Sequence, residues 1–112
     1  MYTLNEDRPS HEVGPGTTRK VLSYSPNLMV CELHLQKGAV GPIHRHPQEQ
    51  ITYVVSGKLR YQEEGQPDQI LGAGDSYVVG PNVAHGGVAE EPTVMLDIFT
   101  PMREDLLKEL KP

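Results

Sequence analysis

The chain has 112 residues, which is enough for one hydrophobic core but not for two. Its formal net charge is -5 and its ten basic residues are scattered, which argues against a nucleic-acid partner because phosphate binding needs clustered Lys and Arg. The only cysteine, Cys31, cannot form an internal disulfide, so a reducing compartment is acceptable and the cytoplasm is the expected location.

The N-terminal segment is polar and ends in Gly14, Pro15 and Gly16. This composition predicts an arm over residues 1–16 that leads into a single domain over residues 17–112. The segment has no basic stretch followed by an apolar run, so no signal peptide is expected. No run of about 18 apolar residues occurs, so no membrane span is expected.

Short strands dominate the rest of the chain. In the second candidate strand, alternation places Met29, Cys31, Leu33 and Leu35 on one face. Many short strands in one domain predict a sandwich or a barrel, whose mouth is a natural ligand site. In chain order the strand candidates are TRKVLSY, LMVCELHL, QITYVVSGKLRYQEEG, QILGAGDSYVVG and TVMLDIF.

The third candidate contains two β-rich runs that meet at Ser56 and Gly57, where glycine tolerates the positive φ of a tight turn. This pattern predicts a β-hairpin. At the C-terminus, Thr100 is suited to cap a helix and Pro101 to occupy its first position, with Leu106, Leu107 and Leu110 on one side. One short C-terminal helix is therefore expected.

Two histidines, His44 and His46, are separated by one residue, so on an extended chain both imidazoles project from the same face. Such a pair can supply two of the lone pairs that a metal needs. Taken alone, the spacing is more often two surface histidines than a metal site. The sequence around the pair, together with a later turn that presents His85, favours metal binding over two surface histidines.

Two stretches resemble the motifs of the cupin family: GAVGPIHRHPQEQITYVVSG at 38–57 and GDSYVVGPNVAHGG at 74–87. The resemblance implies an all-β jelly-roll barrel, also called a double-stranded β-helix, with the short helix appended. In cupins, two histidines and an acid of the first motif and one histidine of the second bind a metal. Carried over, the ligands of one divalent transition metal are His44, His46, Gln50 and His85.

The acid position of the first motif holds Gln50, and Glu49 beside it is the alternative fourth ligand. A slip of one residue turns a strand side chain to the opposite face, which favours Gln50. Three imidazoles and an amide leave the full positive charge on the metal and favour an anionic ligand. They suit nickel, zinc, iron, manganese or copper, so the metal stays open, as does a purely structural role for the site.

An acid interrupts the last apolar strand. By alternation Asp97 and Phe99 point the same way, either into the barrel or towards a rim where Asp97 would pair with a basic side chain. Together with Gln in the acid position, the tail LDIFTPMREDLL at 96–107 resembles the KdgF family of pectin-degradation proteins over nearly the whole chain. In that family an Asp, a Phe and an Arg accompany the metal, and here these positions hold Asp97, Phe99 and Arg103.

The KdgF resemblance implies that unsaturated monouronates from pectin or alginate lysis are converted to linear keto forms. Asp97 would move protons, Arg103 would clamp the substrate carboxylate and Phe99 would pack against the sugar. The partner implied is thus a small anionic sugar, and a homodimer is expected because an open barrel has edges to cover. His34 alternates opposite the apolar face and reads as a surface residue.

Two other functions remain open. One is a different metal-dependent cupin enzyme, such as a dioxygenase or a sugar isomerase, and the other is a non-catalytic sugar-binding module. The sequence also leaves open which uronate is preferred and whether Tyr53 and Tyr77 line the pocket.

Overall fold

A computed structural model describes residues 1–111. The described residues form ten strands and two short 3-10 helices, and none of their helices is long and apolar enough to cross a membrane. The helices span Asn5–Asp7 and Glu104–Leu110. The strands are β1 His11–Gly14, β2 Thr17–Ser25, β3 Leu28–Leu35, β4 Val40–His44, β5 Glu49–Ser56, β6 Lys58–Glu63, β7 Gln69–Gly72, β8 Ser76–Val79, β9 His85–Ala89 and β10 Thr93–Thr100.

The strands form two antiparallel sheets. The larger sheet has the order β1-β2-β3-β10-β5-β8 and the smaller has the order β4-β9-β6-β7. Buried apolar side chains of both sheets make up one core, to which Val21, Met29 and Phe99 come from the larger sheet and Leu59 and Ala89 from the smaller. This arrangement is the all-β cupin architecture that the sequence motifs imply.

The alternation predicted for β3 is confirmed. Met29, Cys31, Leu33 and Leu35 are all buried, whereas His34 between them is exposed. Burial raises the pKa of the Cys31 thiol to about 12, so this side chain stays protonated at neutral pH and packs as a small apolar residue.

The hairpin predicted at Ser56 and Gly57 is wrong, although the turn itself exists. Gly57 has a φ of 93°, and a Cβ there would collide with the backbone of Pro92 and Thr93. β5 pairs with β10 and β8, however, while β6 pairs with β7 and β9. The glycine lets the chain turn a corner from one sheet into the other, so the strands on either side do not pair.

The C-terminal helix is present, but it begins later than predicted and is of the 3-10 type. Thr100 is still part of β10, where it pairs with Glu49, so it cannot cap a helix. The helix starts at Glu104 after Arg103, which makes no side-chain capping hydrogen bond. Leu106 of this helix is buried in the core, as the apolar spacing predicts.

The N-terminal segment packs on the domain. β1 pairs with β2, with His11 opposite Arg19, and so adds one strand to the edge of the larger sheet. His11 Nε2 also lies 2.8 Å from the backbone oxygen of Lys111, which brings the two ends of the described chain together. The division into an arm over 1–16 and a domain over 17–112 stays a prediction.

Candidate active site

Three histidines converge at one end of the smaller sheet. His44 ends β4 and pairs with His85 at the start of β9, while His46 lies in the loop after β4. A Cβ at Gly86 would collide with the backbone of β4, so glycine there allows the two strands to approach closely. One ligand atom from each histidine lies within 4.8 Å of the other two, so the structure brings together the histidines that the motifs singled out.

Each imidazole is held in one orientation by the backbone carbonyl group of a residue two positions away in the sequence. A carbonyl oxygen only accepts hydrogen bonds, so the Nδ1 facing it carries the proton and Nε2 is left with a lone pair. The Nδ1 atoms lie 3.0 Å from the oxygen of Pro42 for His44, 3.0 Å from that of Gln48 for His46 and 2.9 Å from that of Val83 for His85. This arrangement orients metal-binding histidines in many proteins.

Gln50 completes the cluster. Its side chain is only 3% exposed, and its Oε1 lies 2.9 Å from His46 Nε2 and 3.2 Å from His85 Nε2. Burial lowers the pKa of both His46 and His85, which disfavours the doubly protonated ring that could donate from both nitrogens. Lone pairs of neutral imidazoles therefore face the amide oxygen, an arrangement that a cation among them would stabilise.

The neighbouring Glu49 is exposed and projects from the other face of β5. A fourth ligand from this strand is therefore available at Gln50 and not at Glu49. The set of three imidazole nitrogens and one amide oxygen fits a divalent transition metal.

A cavity of about 170 Å³ adjoins the cluster. Part of its wall comes from the inward face of β10, and the metal-binding candidates His44, Gln50 and His85 form another part. The remaining polar and aromatic lining residues are Thr17, Arg19, Tyr77, Asp97, Phe99 and Arg103. Three of the four predicted metal ligands thus face the same space as the acid, aromatic and basic residues predicted from the tail, while His46 lies beside them in the cluster.

Asp97 points into the barrel. It is 7% exposed and lies opposite Thr52 on β5, whose hydroxyl donates a 2.6 Å hydrogen bond to Asp97 Oδ1. Burial raises the pKa of Asp97, while the Thr52 hydrogen bond and the charges of Arg19, His85 and Arg103 act in the opposite direction. Asp97 is therefore not at the rim of the barrel paired with a basic side chain, which was the alternative expected from the sequence.

Phe99 and Arg103 lie side by side at the cavity. Phe99 is fully buried, and its ring lies nearly perpendicular to the His46 ring, at a centroid distance of 5.6 Å and an interplanar angle of 80°. The guanidinium carbon of Arg103 lies 5.2 Å from the Phe99 centroid, and its Nη2 donates to Asp105 Oδ2 at 2.8 Å. The side chain of Arg103 is only 15% exposed, so most of it is shielded from solvent at the cavity wall.

Comparisons with known proteins identify the family to which this fold belongs. Residues 31–99 match the family described as the cupin domain. The chain is 39% identical over 108 residues to the pectin degradation protein KdgF of Dickeya dadantii, across 95% of this chain and 97% of that protein. The chain belongs to the cupin family and is a KdgF-like cupin.

Two solved structures extend the match. KdgF from Halomonas sp. superposes with a TM-score of 0.89 at 36% identity, over 96% of this chain and 98% of that one. An RmlC-like cupin from Shewanella frigidimarina superposes with a TM-score of 0.89 at 34% identity, over 95% of both chains.

The sequence did not single out Thr52 and Arg19 at this KdgF-like site, and it left open whether Tyr53 and Tyr77 line the pocket. Thr52 is buried between Gln50 and Asp97, and Tyr77 lies against Gln50, whereas Tyr53 is exposed. The alternation of β5 places Thr52 on the same face as Gln50 and could have identified it. Arg19 carried no such signal, because its place in the pocket depends on how β2 sits in the sheet.

Arg19 is held by the terminal helix of the cupin. Its Nε and Nη2 donate to the two carboxylate oxygens of Glu109 at 2.9 and 2.6 Å, and Glu109 is buried. This bidentate pair fastens the helix over β2.

Glu109→Ala should lower the free energy of unfolding by about 3 kcal/mol, because it removes the carboxylate to which the mostly buried Arg19 guanidinium is hydrogen-bonded. Urea unfolding followed by circular dichroism measures this change. Glu104→Ala removes an exposed acid from the same helix and should change the free energy of unfolding by less than about 0.5 kcal/mol. Equal effects of the two substitutions would contradict the role assigned to the pair.

Proposed function

We propose that this cupin converts 4,5-unsaturated monouronates, released from pectin or alginate, into linear 5-keto-4-deoxyuronates. The observation that carries the proposal is that Asp97, Phe99 and Arg103 line one cavity together with His44 and His85 of the histidine cluster. The names of the KdgF relatives, which refer to pectin degradation, support the same assignment.

The residues that would hold a divalent metal are His44, His46, Gln50 and His85. A divalent metal supplies a Lewis-acid charge that stabilises an enolate or carboxylate oxygen. Because all four ligands are neutral, that charge is undiminished, which suits an anionic substrate. Nickel, zinc, iron and manganese all accept this ligand set.

The proposed reaction is an isomerisation and needs no oxidant or second substrate. The C1 hydroxyl of the cyclic uronate loses its proton, the bond between C1 and the ring oxygen breaks, and its electron pair stays on that oxygen. The product is an aldehyde at C1 and an enolate at C5. Protonation at C4 then gives the C5 ketone, so one proton has moved from the hydroxyl to C4.

Asp97 is placed to carry that proton. Its Oδ1 accepts from Thr52, which leaves Oδ2 for the hydroxyl and for C4. Arg103 presents a planar cation at the cavity that suits the substrate carboxylate, and Phe99 offers a flat apolar wall to the sugar ring. The cavity is smaller than the roughly 300–1,000 Å³ of drug-sized sites, which favours a single sugar over an oligosaccharide.

The test is to add protein loaded with each candidate metal to freshly lyase-generated unsaturated monouronate. Loss of the alkene absorbance should be faster than the spontaneous rate, with a carbonyl product of unchanged mass. Binding of the uronate without acceleration under any of the metals would contradict the proposal and favour a sugar-binding module. Uptake of oxygen together with substrate loss would favour a dioxygenase.

We also propose that two copies pair through the outer face of the larger sheet. Ile51, Tyr53 and Val78 project outwards there with 46%, 43% and 60% of their surfaces exposed, and Ile51 and Val78 are direct cross-strand partners. A contiguous apolar face of this kind marks an interaction surface. A second copy presents the same face, which suits the self-complementary contact of a twofold dimer.

Ile51→Lys should convert the dimer to a monomer, because it places a charge at the centre of the apolar contact. Size-exclusion chromatography with light scattering measures the mass. Ile70→Lys, at an exposed position of β7 in the other sheet, is the matched control and should leave the dimer intact. A wild-type protein that is monomeric at all concentrations would contradict this interface.

A further inference from the structure

The amide of Gln50 is held in one orientation by two hydrogen bonds. Its Nε2 donates to Thr52 Oγ1 at 2.8 Å and to the Tyr77 hydroxyl at 3.1 Å. A primary amide has two N–H donors on one side and a carbonyl oxygen on the other. Because both donors are used, Oε1 is the atom that faces His46 and His85.

Thr52 joins the amide to the carboxylate. Its hydroxyl carries a single proton, which is donated to Asp97 Oδ1, while its oxygen accepts from Gln50. The direction of this short chain of hydrogen bonds is therefore fixed from Gln50 through Thr52 to Asp97. Thr52 is 0% exposed, so water does not compete for these bonds.

The sheet itself sets the spacing of these groups. Thr52 on β5 lies directly opposite Asp97 on β10 and Tyr77 on β8, so the three side chains form one row across the inward face. Gln50 is two residues from Thr52 on the same strand and projects from the same face. Backbone pairing on both sides of β5 thus holds the amide, the hydroxyl and the carboxylate in register.

We propose that Thr52 is a positioning residue that, together with Tyr77, turns the Gln50 amide oxygen towards the metal site and at the same time holds Asp97. The metal half of the inference stands on the geometry of Gln50, and the Asp97 half rests on the proposed function. Without the Thr52 hydroxyl the amide loses one of its two acceptors and is free to turn its NH2 group towards the histidines. An NH2 group has no lone pair to offer a metal.

The experiment measures Zn²⁺ affinity by competition with a chromogenic chelator. Thr52→Val keeps the shape of the side chain and removes the hydroxyl, and it should weaken Zn²⁺ binding about 10- to 100-fold, the range typical of residues that orient metal ligands. Thr52→Ser keeps the hydroxyl and should restore most of the affinity. A Kd of Thr52→Val equal to that of the wild type would overturn the inference.

Thr93→Val is the matched control. Thr93 is also buried, and its hydroxyl bonds to the backbone of Lys58 and Glu91. Replacement of Thr93 should reduce stability and leave Zn²⁺ affinity unchanged. If Thr52→Val alone loses affinity, the loss comes from the position of the Gln50 amide and not from general destabilisation. If Thr52→Val does not fold, Tyr77→Phe decides, because weaker Zn²⁺ binding supports the inference and unchanged binding overturns it.

Turnover of the unsaturated monouronate tests the Asp97 half. At saturating Zn²⁺, Thr52→Val should lower kcat more than it changes KM, because the acid loses the bond that holds it while the cavity wall is unchanged. A KM rise with kcat unchanged would overturn this half. A wild type that is inactive with every candidate metal, but whose Zn²⁺ affinity still depends on Thr52, would refute the proposed function and leave the metal half standing.

Discussion

Asp97→Asn should lower kcat/KM for the unsaturated monouronate by about 10²- to 10⁴-fold, the range contributed by a positioned general acid–base group. The substitution keeps the size of the side chain, and the Asn carbonyl oxygen still accepts the hydrogen bond that Thr52 donates to Asp97 Oδ1. An amide cannot accept the C1 hydroxyl proton and return it to C4. The fold and the metal site should therefore survive while the proton transfer is lost.

The measurement compares alkene absorbance loss for the two proteins at equal metal content. Asp68→Asn makes the same chemical change at an exposed position between β6 and β7 and should retain wild-type activity. The thermal unfolding temperature of Asp97→Asn should be close to that of the wild type, because Asp97 forms no salt bridge among the described residues and Asn keeps the hydrogen bond from Thr52. Activity of Asp97→Asn within a few-fold of the wild type would show that another group moves the proton.

Patterns within one strand predicted much of this fold. The alternation in β3 identified its four buried residues, and the same reasoning placed Asp97 and Phe99 on one face of β10. These predictions succeed because the direction of a side chain in a strand depends only on the local backbone.

The one strand pairing predicted from the sequence, the hairpin at Gly57, was wrong, because pairing depends on contacts far apart in sequence. The turn at Gly57 has the positive φ expected of a hairpin, yet β5 and β6 belong to different sheets. The helix after Thr100 was misplaced for a related reason, since β10 continues through that residue to pair with Glu49. In both places tertiary pairing decided what local turn and capping signals could not.

Some residues of the candidate site could be predicted from the sequence, whereas others depend on contacts between strands. The motifs drew attention to His44, His46 and His85, and the structure brings them together. Arg103 could be singled out only through the KdgF resemblance, because its position after the last strand carries no spacing signal. Tyr77 contacts Gln50 only because β8 lies next to β5, which the sequence does not reveal, whereas Thr52 shares a face of β5 with Gln50 and follows from alternation.

Removing the divalent metal should lower turnover of the unsaturated monouronate by at least about 10²- to 10³-fold, the loss typical of deleting one group that stabilises a developing oxyanion. His85→Ala should produce the same loss, because His85 is buried at the centre of the cluster, within 3.2 Å of Gln50 Oε1. Dialysis against a chelator followed by metal addition measures the effect. Activity should return in the wild type and not in His85→Ala.

His34→Ala is the control for this substitution. His34 is exposed and bonds to Glu32 on the surface, so its loss should leave both metal content and turnover unchanged. If the wild type stays active after chelation, the reaction does not need the metal and the cluster has a structural role. His85→Ala should then lose stability but not activity. If His85→Ala instead loses both metal and turnover but keeps its stability, the metal takes part in the reaction. A metal that only holds the barrel together could not be removed without lowering the free energy of unfolding.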